Sequence, residues 1–320
     1  MEGLAGYVLR RLLFLPITLL IVSFATFYIT RWGPGDPVRV YADAGYSDPE
    51  ALDRVRDKYG LDEPIIVQYG VWLEDIVTEG DMGVSLRYRD RPVTEIIGPK
   101  IWVSMQLGLW AFILTFLVGI PAGVYAAVRQ GTWRDPTLIS FFLFFQSIPV
   151  LVSVPVLVLV FAAKLHWLPA GGFDGLFSKS IIIPTLALSL PGIAGVARLA
   201  RAATLGTLHE DFVRTARAKG LGEPVVISRH VARNSLVPVM TTVIGLSLVG
   251  LVEGAIITET LLGIPGIGRF VFESVNGRDY NVIMAIVVLI TTLFVLANLL
   301  VDLLLLVIDP RIRASRSELG

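Results

Sequence analysis

Groups that could bind a metal, attack a carbonyl or move a proton are sparse in these 320 residues: there are three histidines and no cysteine. His209-Glu210 begins like the zinc helix His-Glu-x-x-His, whose two histidines share a face, but the second position is filled by Val213. Gly245-Leu246-Ser247-Leu248 holds the serine of a nucleophile elbow and lacks its closing glycine. His166, His209 and His230 lie at the ends of apolar runs or between them, so none is placed as a base for Ser247. A Gly-x-x-x-x-Gly-Lys-Ser/Thr phosphate loop is missing, and no ATP site is encoded. Without cysteine, thiol catalysis, disulfides and cysteine metal sites are excluded. The chain reads as a non-enzyme, with no catalytic residue, metal ligand set, cofactor of its own or nucleic-acid partner.

A second class of polar residue stands inside apolar runs: Gln106, Gln146, Ser147, Glu253, Asn298 and Asp302. Charge in a hydrocarbon core is costly, so such groups face protein or water. Two readings stay open: a polar lining for a translocation path, or interhelical hydrogen bonds that hold packing. Glu253, Gln146 and Ser147 are path candidates, with Glu259 just beyond; Asp302 reads better as packing or as a contact near the inner surface.

The longest polar interruption of the apolar second half is the stretch 207–238. It carries Arg214, Arg217, Lys219, Arg229 and Arg233 against Glu210, Asp211 and Glu223. Thr207 and Glu210 have capping-box spacing, which predicts a helix over 208–219 stopped by Gly220 and Gly222, with Pro224 opening a second. Phe212, Val213 and Ala216 would share one face, leaving Arg214 and Arg217 outside it. A small basic amphipathic helix between spans suits docking to something outside the membrane.

The elements that must position these groups follow from composition. Hydrophobic residues make up 54% and charged residues 17%, and mean hydropathy is +0.71. Runs of about 20 apolar residues, the length that crosses a bilayer core, recur at 9–30, 101–128, 137–163, 181–205, 236–258 and 282–308, an all-α polytopic membrane protein of six spans. The first run is long for a signal peptide and lacks a small-x-small cleavage site, so it reads as a retained span. Lys and Arg sort the loops. With the N-terminus inside, inner segments hold Arg10, Arg11, Arg129, Arg134, Arg198, Arg201, the five basic residues of 207–238, and Arg311, Arg313 and Arg316. The short outer loops hold Lys164, Lys179, Arg269 and Arg278, which predicts N-in and C-in. The long outer loop 31–100, with nine basic and fourteen acidic residues, reads as a small helical cap. Helices are expected from Asp48-Pro49-Glu50, from Pro64 with Ile65, Tyr69, Trp72 and Ile76, and, as a third short one, from Pro92 with Val93, Ile96 and Ile97. Residues 1–100 are thus the first span and cap, and 101–320 a five-helix core containing the loop 206–238.

The sequence from Phe212-Val213-Arg214-Thr215-Ala216-Arg217-Ala218-Lys219-Gly220-Leu221 to Arg229-His230-Val231-Ala232-Arg233-Asn234-Ser235-Leu236-Val237-Pro238 resembles the cytoplasmic EAA loop of ABC importer permeases, in particular the dipeptide/oligopeptide/nickel branch. Pro34-Gly35-Asp36-Pro37, Tyr59-Gly60-Leu61-Asp62, Gly80-Asp81-Met82-Gly83-Val84-Ser85, Glu259-Thr260, Pro265-Gly266-Ile267-Gly268, Arg278-Asp279-Tyr280 and Asp309-Pro310-Arg311-Ile312-Arg313 extend the resemblance over nearly the whole chain. Two departures stand out. The Glu-Ala-Ala positions of the general loop read Arg214-Thr215-Ala216, and its closing proline comes late, at Pro238.

The resemblance implies a type I importer permease fold. Phe212, Val213, Arg214, Ala216, Arg217, Lys219, Gly220 and Leu221 would couple to paired ATPase subunits that hold ATP and Mg. It further implies a second, related permease chain, an extracytoplasmic substrate-binding protein, a peptide substrate, surrounding membrane lipid and residence in a prokaryotic inner membrane. Nickel, glutathione or another small solute is the alternative cargo. A stand-alone secondary transporter or channel would not need the basic docking helix and would more often show inverted repeats.

Overall fold

The computed structural model describes residues 4–32, 50, 56, 62–85, 87–88, 91–236, 239–240 and 256–308. The order is α1 (Leu4–Trp32), α2 (Ile65–Thr78), α3 (Val93–Val128), α4 (Arg134–Ser147) and α5 (Val150–Leu157), which the π-helical stretch Val158–Lys164 continues. A 3-10 turn, Lys179–Ile181, leads into α6 (Ile182–Leu208). Then come α7 (Asp211–Ala218), α8 (Glu223–Val225, continued by π-helical Val226–Ala232), α9 (Ile256–Leu261), α10 (Ile267–Asn276) and α11 (Tyr280–Ile308).

Among the described residues, four helices are long and apolar enough to cross a membrane: Leu13–Thr30, Val93–Val128, Lys179–Leu208 and Tyr280–Leu299. Arg134–Ser147 and Val150–Lys164 make a fifth crossing if counted together, but they meet at 100°. The run expected at 137–163 is therefore sharply broken, not continuous. Ile148 is extended (φ −83°, ψ 118°) and Pro149 offers no N–H, so the helical ladder restarts at Val150. The run expected at 236–258 falls mostly outside the described residues, as does the helix expected from Asp48.

The chain divides into two compact units. One comprises 2–104 and 265–296. In it α2 lies on α1 through an aromatic cluster of Phe24, Phe27, Tyr69 and Trp72, with Met284. Phe24 and Phe27 meet the Tyr69 ring edge-on at 5.1 and 5.5 Å, and the Tyr69 hydroxyl pairs with Ser23 Oγ at 2.8 Å, so its polar end is satisfied in an apolar setting. The third short helix expected at Pro92 is corrected here. Val93, Ile96 and Ile97 open α3 itself and pack on Ile267, Phe270, Val282 and Ile286. Their three-to-four spacing runs on in phase with the apolar run that follows, so nothing ends the helix before Val128.

The loop entering α3 is latched in this unit. Ser85 Oγ donates to Asp279 Oδ2 at 2.5 Å, and the Arg87 amide donates to the same oxygen at 3.3 Å. Asn281 Nδ2 donates to the Val84 carbonyl at 2.9 Å. Ser104 Oγ accepts the Ile267 amide at 2.8 Å and so caps α10.

The other unit comprises 105–264 with residue 1 and 297–320. α4 packs along α6 through Phe142, Ile193, Ala194 and Ala197. α3 approaches α6 where it carries Gly119 and Gly123. A Cβ on Gly123 would stand 2.3 Å from the Ala197 carbonyl oxygen, and one on Gly119 2.9 Å from Val196 Cβ. Lipid tails give helices no hydrophobic incentive to associate, so close backbone approach supplies the dispersion that holds them.

Candidate functional site

α6 runs through Leu208, and the chain turns at His209-Glu210 before α7. The capping box expected at Thr207 and Glu210 is not formed. Thr207 Oγ1 donates back to the Ala203 carbonyl at 3.0 Å, inside α6, and no side chain caps α7. The expected helix over 208–219 is corrected to Asp211–Ala218, because Thr207 found a partner one turn back. Glu210, extended at φ −70° and ψ 148°, begins α7 through its own carbonyl, which accepts from Val213 and Arg214 at 3.0 and 3.3 Å.

The end of α7 matches expectation. Gly220 adopts φ +77°, the Leu221 amide reaches the Ala216 carbonyl at 3.4 Å and the Gly220 amide reaches Arg217 at 2.9 Å. These are the paired bonds of a Schellman stop, which needs a left-handed residue. Pro224 stands in the first turn of α8. Arg217 crosses the turn to Glu223 in a two-pronged pair, Nη2 to Oε1 at 2.7 Å and Nε to Oε2 at 3.2 Å. The hydrogen-bonded guanidinium holds the Glu223 carboxyl below its usual range, and the carboxylate raises Arg217 in turn.

The loop has a small core of its own. Val213 and Ala216 are buried against Val226 and Val231, with Leu208 beside them. Burying each valine is worth about 1.5–3 kcal/mol at most, and here the apolar face is spent within the chain. Phe212, by contrast, is 41% exposed, Leu221 39% and Val225 44%. Arg214 and Lys219 are also exposed. Of the residues expected to couple, Val213 and Ala216 are therefore interior and Phe212, Arg214, Arg217, Lys219, Gly220 and Leu221 are on the surface.

The polar positions of the spans scatter. Gln146 is half-buried and Ser147 exposed at the end of α4, beside the Ile148-Pro149 break, and Ser147 Oγ donates to the Leu143 carbonyl at 2.9 Å. Glu259 is fully buried in α9. Gln106 and Asn298 are half-buried. Glu253, Ser247 and the side chain of Asp302 lie outside the described residues.

Sequence reasoning missed two constellations. One is the Ser85–Asp279 latch, whose partners are 194 residues apart and carry no shared pattern. The other is a partly buried ion pair, Arg201 Nε and Nη2 each donating at 2.6 Å to the buried Asp135 carboxylate. In the sequence Arg201 reads only as one of the basic residues of the inner segments, and an acid at the start of the neighbouring helix is the one signal of its partner.

Comparison with known proteins bears on all of this. The family model described as binding-protein-dependent transport system inner membrane component matches residues 119–314. The one described as binding-protein-dependent transport system membrane component, N-terminal, matches 4–89. The oligopeptide transport system permease protein OppB of Haemophilus influenzae is 37% identical over 307 residues, spanning 96% of this chain and 99% of that protein. OppB of Salmonella typhimurium is 39% identical over the same shares. The dipeptide transport system permease protein DppB of Alkalihalophilus pseudofirmus is 37% identical over 334 residues. Among solved structures, a chain of the inward-facing MetNI methionine ABC transporter shares the fold at a TM-score of 0.57 and 17% identity, covering 68% of this chain and 97% of that one. Apolar helices, a self-packed polar loop between them and full-length similarity to permeases converge: the chain belongs to the family of binding-protein-dependent transport system inner membrane components, the multi-pass permeases of ABC importers.

Proposed function

We propose that this permease imports di- and oligopeptides as one half of a translocation path, paired with a second, related permease chain. Six spans run N-in and C-in with an external helical cap after the first, as the placement of Lys and Arg favours. Paired ATPase subunits, which supply ATP and Mg, grip the loop 206–238 from the cytoplasm, and a substrate-binding protein delivers peptide outside. ATP-driven closure of the ATPases turns the helices outward, and hydrolysis resets them, each state being stabilised by a different set of contacts. The peptide cargo is supported by the oligopeptide and dipeptide relatives at 37–39% identity. Gln146 and Ser147, at the broken helix, line the path, since non-helical backbone at membrane depth is tolerated where it meets protein or a cavity. Glu253 joins them as a lining group. Glu259, being fully buried, acts by holding α9 in place.

The observation that carries the coupling role is the division of the loop into a buried Val213–Ala216 face and an exposed Phe212, Arg214, Lys219 and Leu221 face. A loop that already packs on its own chain is a rigid knob, and the aromatic and basic residues left outside are the types that anchor interfaces. The test is peptide uptake by the complete importer in proteoliposomes. Phe212→Glu is expected to lower ATP-driven uptake about tenfold or more while ATP hydrolysis continues. Undiminished uptake would remove Phe212 and this face from the coupling surface.

A further inference from the structure

A cavity of about 430 Å³ opens between α4 and α6, lined by Asp135, Pro136, Ile139, Ser140, Arg198 and Arg201. Its charges are organised. Asp135 is nearly fully buried and takes Nε and Nη2 of Arg201 in parallel at 2.6 Å, which fixes the guanidinium plane. The remaining Arg201 nitrogen, Nη1, lies outside that pair and keeps its donors. Arg198 stands one turn earlier on α6, on the same side, exposed and with no acidic partner among the described residues. Two guanidiniums against one carboxylate leave the lining net positive. Ile139 and Pro136 supply an apolar wall and Ser140 a hydroxyl.

The cavity's surroundings say what such a site would meet. Trp133, immediately before α4, is 72% exposed, and Phe144, further along the helix, is 65% exposed. Exposed tryptophan marks the headgroup level of a membrane and exposed phenylalanine suits the acyl region. The cavity lies between the two, at the boundary. It lies at the end of α6 that leads to the docking loop, since Arg201 is about 10 Å before Leu208 at helical rise. A net-positive pocket with an apolar wall at that depth calls for a ligand with an anionic head and an apolar tail. We infer that this cavity binds the phosphodiester headgroup of an anionic phospholipid. The inference rests on the membrane residence of α4 and α6, and neither peptide cargo nor ATPase coupling enters it.

The test uses the complete importer in nanodiscs of phosphatidylcholine mixed with phosphatidylglycerol, read by native mass spectrometry after extraction. Wild type is expected to retain phosphatidylglycerol in preference to phosphatidylcholine. Arg198→Gln, an exposed change that leaves the Asp135–Arg201 pair intact, is expected to lower that retention about fivefold. The double variant Asp135→Asn/Arg201→Gln, which removes the charged pair without orphaning either partner, is expected to lower it as well. Equal retention of the two lipids, or retention undiminished by Arg198→Gln, overturns the site. Displacement of the lipid by millimolar inorganic phosphate overturns the lipid assignment in favour of a free anion. Peptide uptake is not the readout, so failure here leaves the transport reading untouched.

Discussion

Phe212 and Val213 are neighbours in the chain with opposite surroundings: the first is 41% exposed and the second fully buried. The contrast separates two ways of losing coupling. Ala216, 4% exposed beneath α8, has no room for a charge and no partner for one. Ala216→Asp is expected to unfold the loop at a cost of several kcal/mol, seen as loss of hydrogen-exchange protection at the Val226 and Val231 amides. Phe212→Glu leaves that protection intact while uptake falls, and equal loss of protection in both variants would refute the division into interior and surface faces. Glu223 tests the turn. Because Arg217 holds its carboxyl below the usual range, the pair contributes above that range, and its contribution is lost as pH falls through the lowered value. Both partners are largely exposed, so the contribution is small, about 0.2–1 kcal/mol and reduced by salt. Glu223→Gln is accordingly expected to raise exchange of the 220–226 amides about two- to fivefold at neutral pH, with the difference from wild type vanishing in acid. A difference that persists in acid would place the effect elsewhere than in the ion pair.

At the scale of elements, the packing of α3 on α6 depends on two positions without side chains. At Gly123 the Ala197 carbonyl is so close that even a methyl group must push the helices apart. Gly123→Ala is expected to cost about 1–3 kcal/mol, and Gly123→Leu to abolish the packing. Thermal inactivation of the purified importer measures this, and an unchanged midpoint for Gly123→Leu would show that the helices do not meet there. Gly220 differs in kind. Nothing lies within 4 Å of a Cβ built on it, and its constraint is the left-handed φ of +77° alone. Gly220→Ala therefore costs about 1 kcal/mol of backbone strain with no collision.

For the whole molecule, the absence of cysteine makes orientation directly measurable. Phe177, 86% exposed between α5 and α6, would be outside in the N-in arrangement, and Leu221 of the loop 206–238 inside. Phe177→Cys is expected to react with an impermeant maleimide added to intact cells, and Leu221→Cys only after the inner face is opened; the reverse pattern would invert the topology. Four of the expected spans were legible in the sequence as apolar helices, because a span is a local property: about 20 apolar residues announce themselves wherever the chain goes. The Schellman stop at Gly220 and the helix opening at Pro224 were equally local, set by φ and by a missing N–H. What tertiary structure alone decided was facing and partnership. An apolar face on a short helix reads the same whether it is covered by α8 of its own chain or by another protein, and Val213 and Ala216 proved to be covered from within. Thr207 had the spacing of a cap, yet a carbonyl one turn back inside a lengthened α6 competed for its hydroxyl and won. Ser85 with Asp279, and Asp135 with Arg201, are pairs whose members lie 194 and 66 residues apart. Only the packing of helices brings such groups within hydrogen-bond reach, so composition and periodicity determined the spans while the fold chose which polar groups would meet.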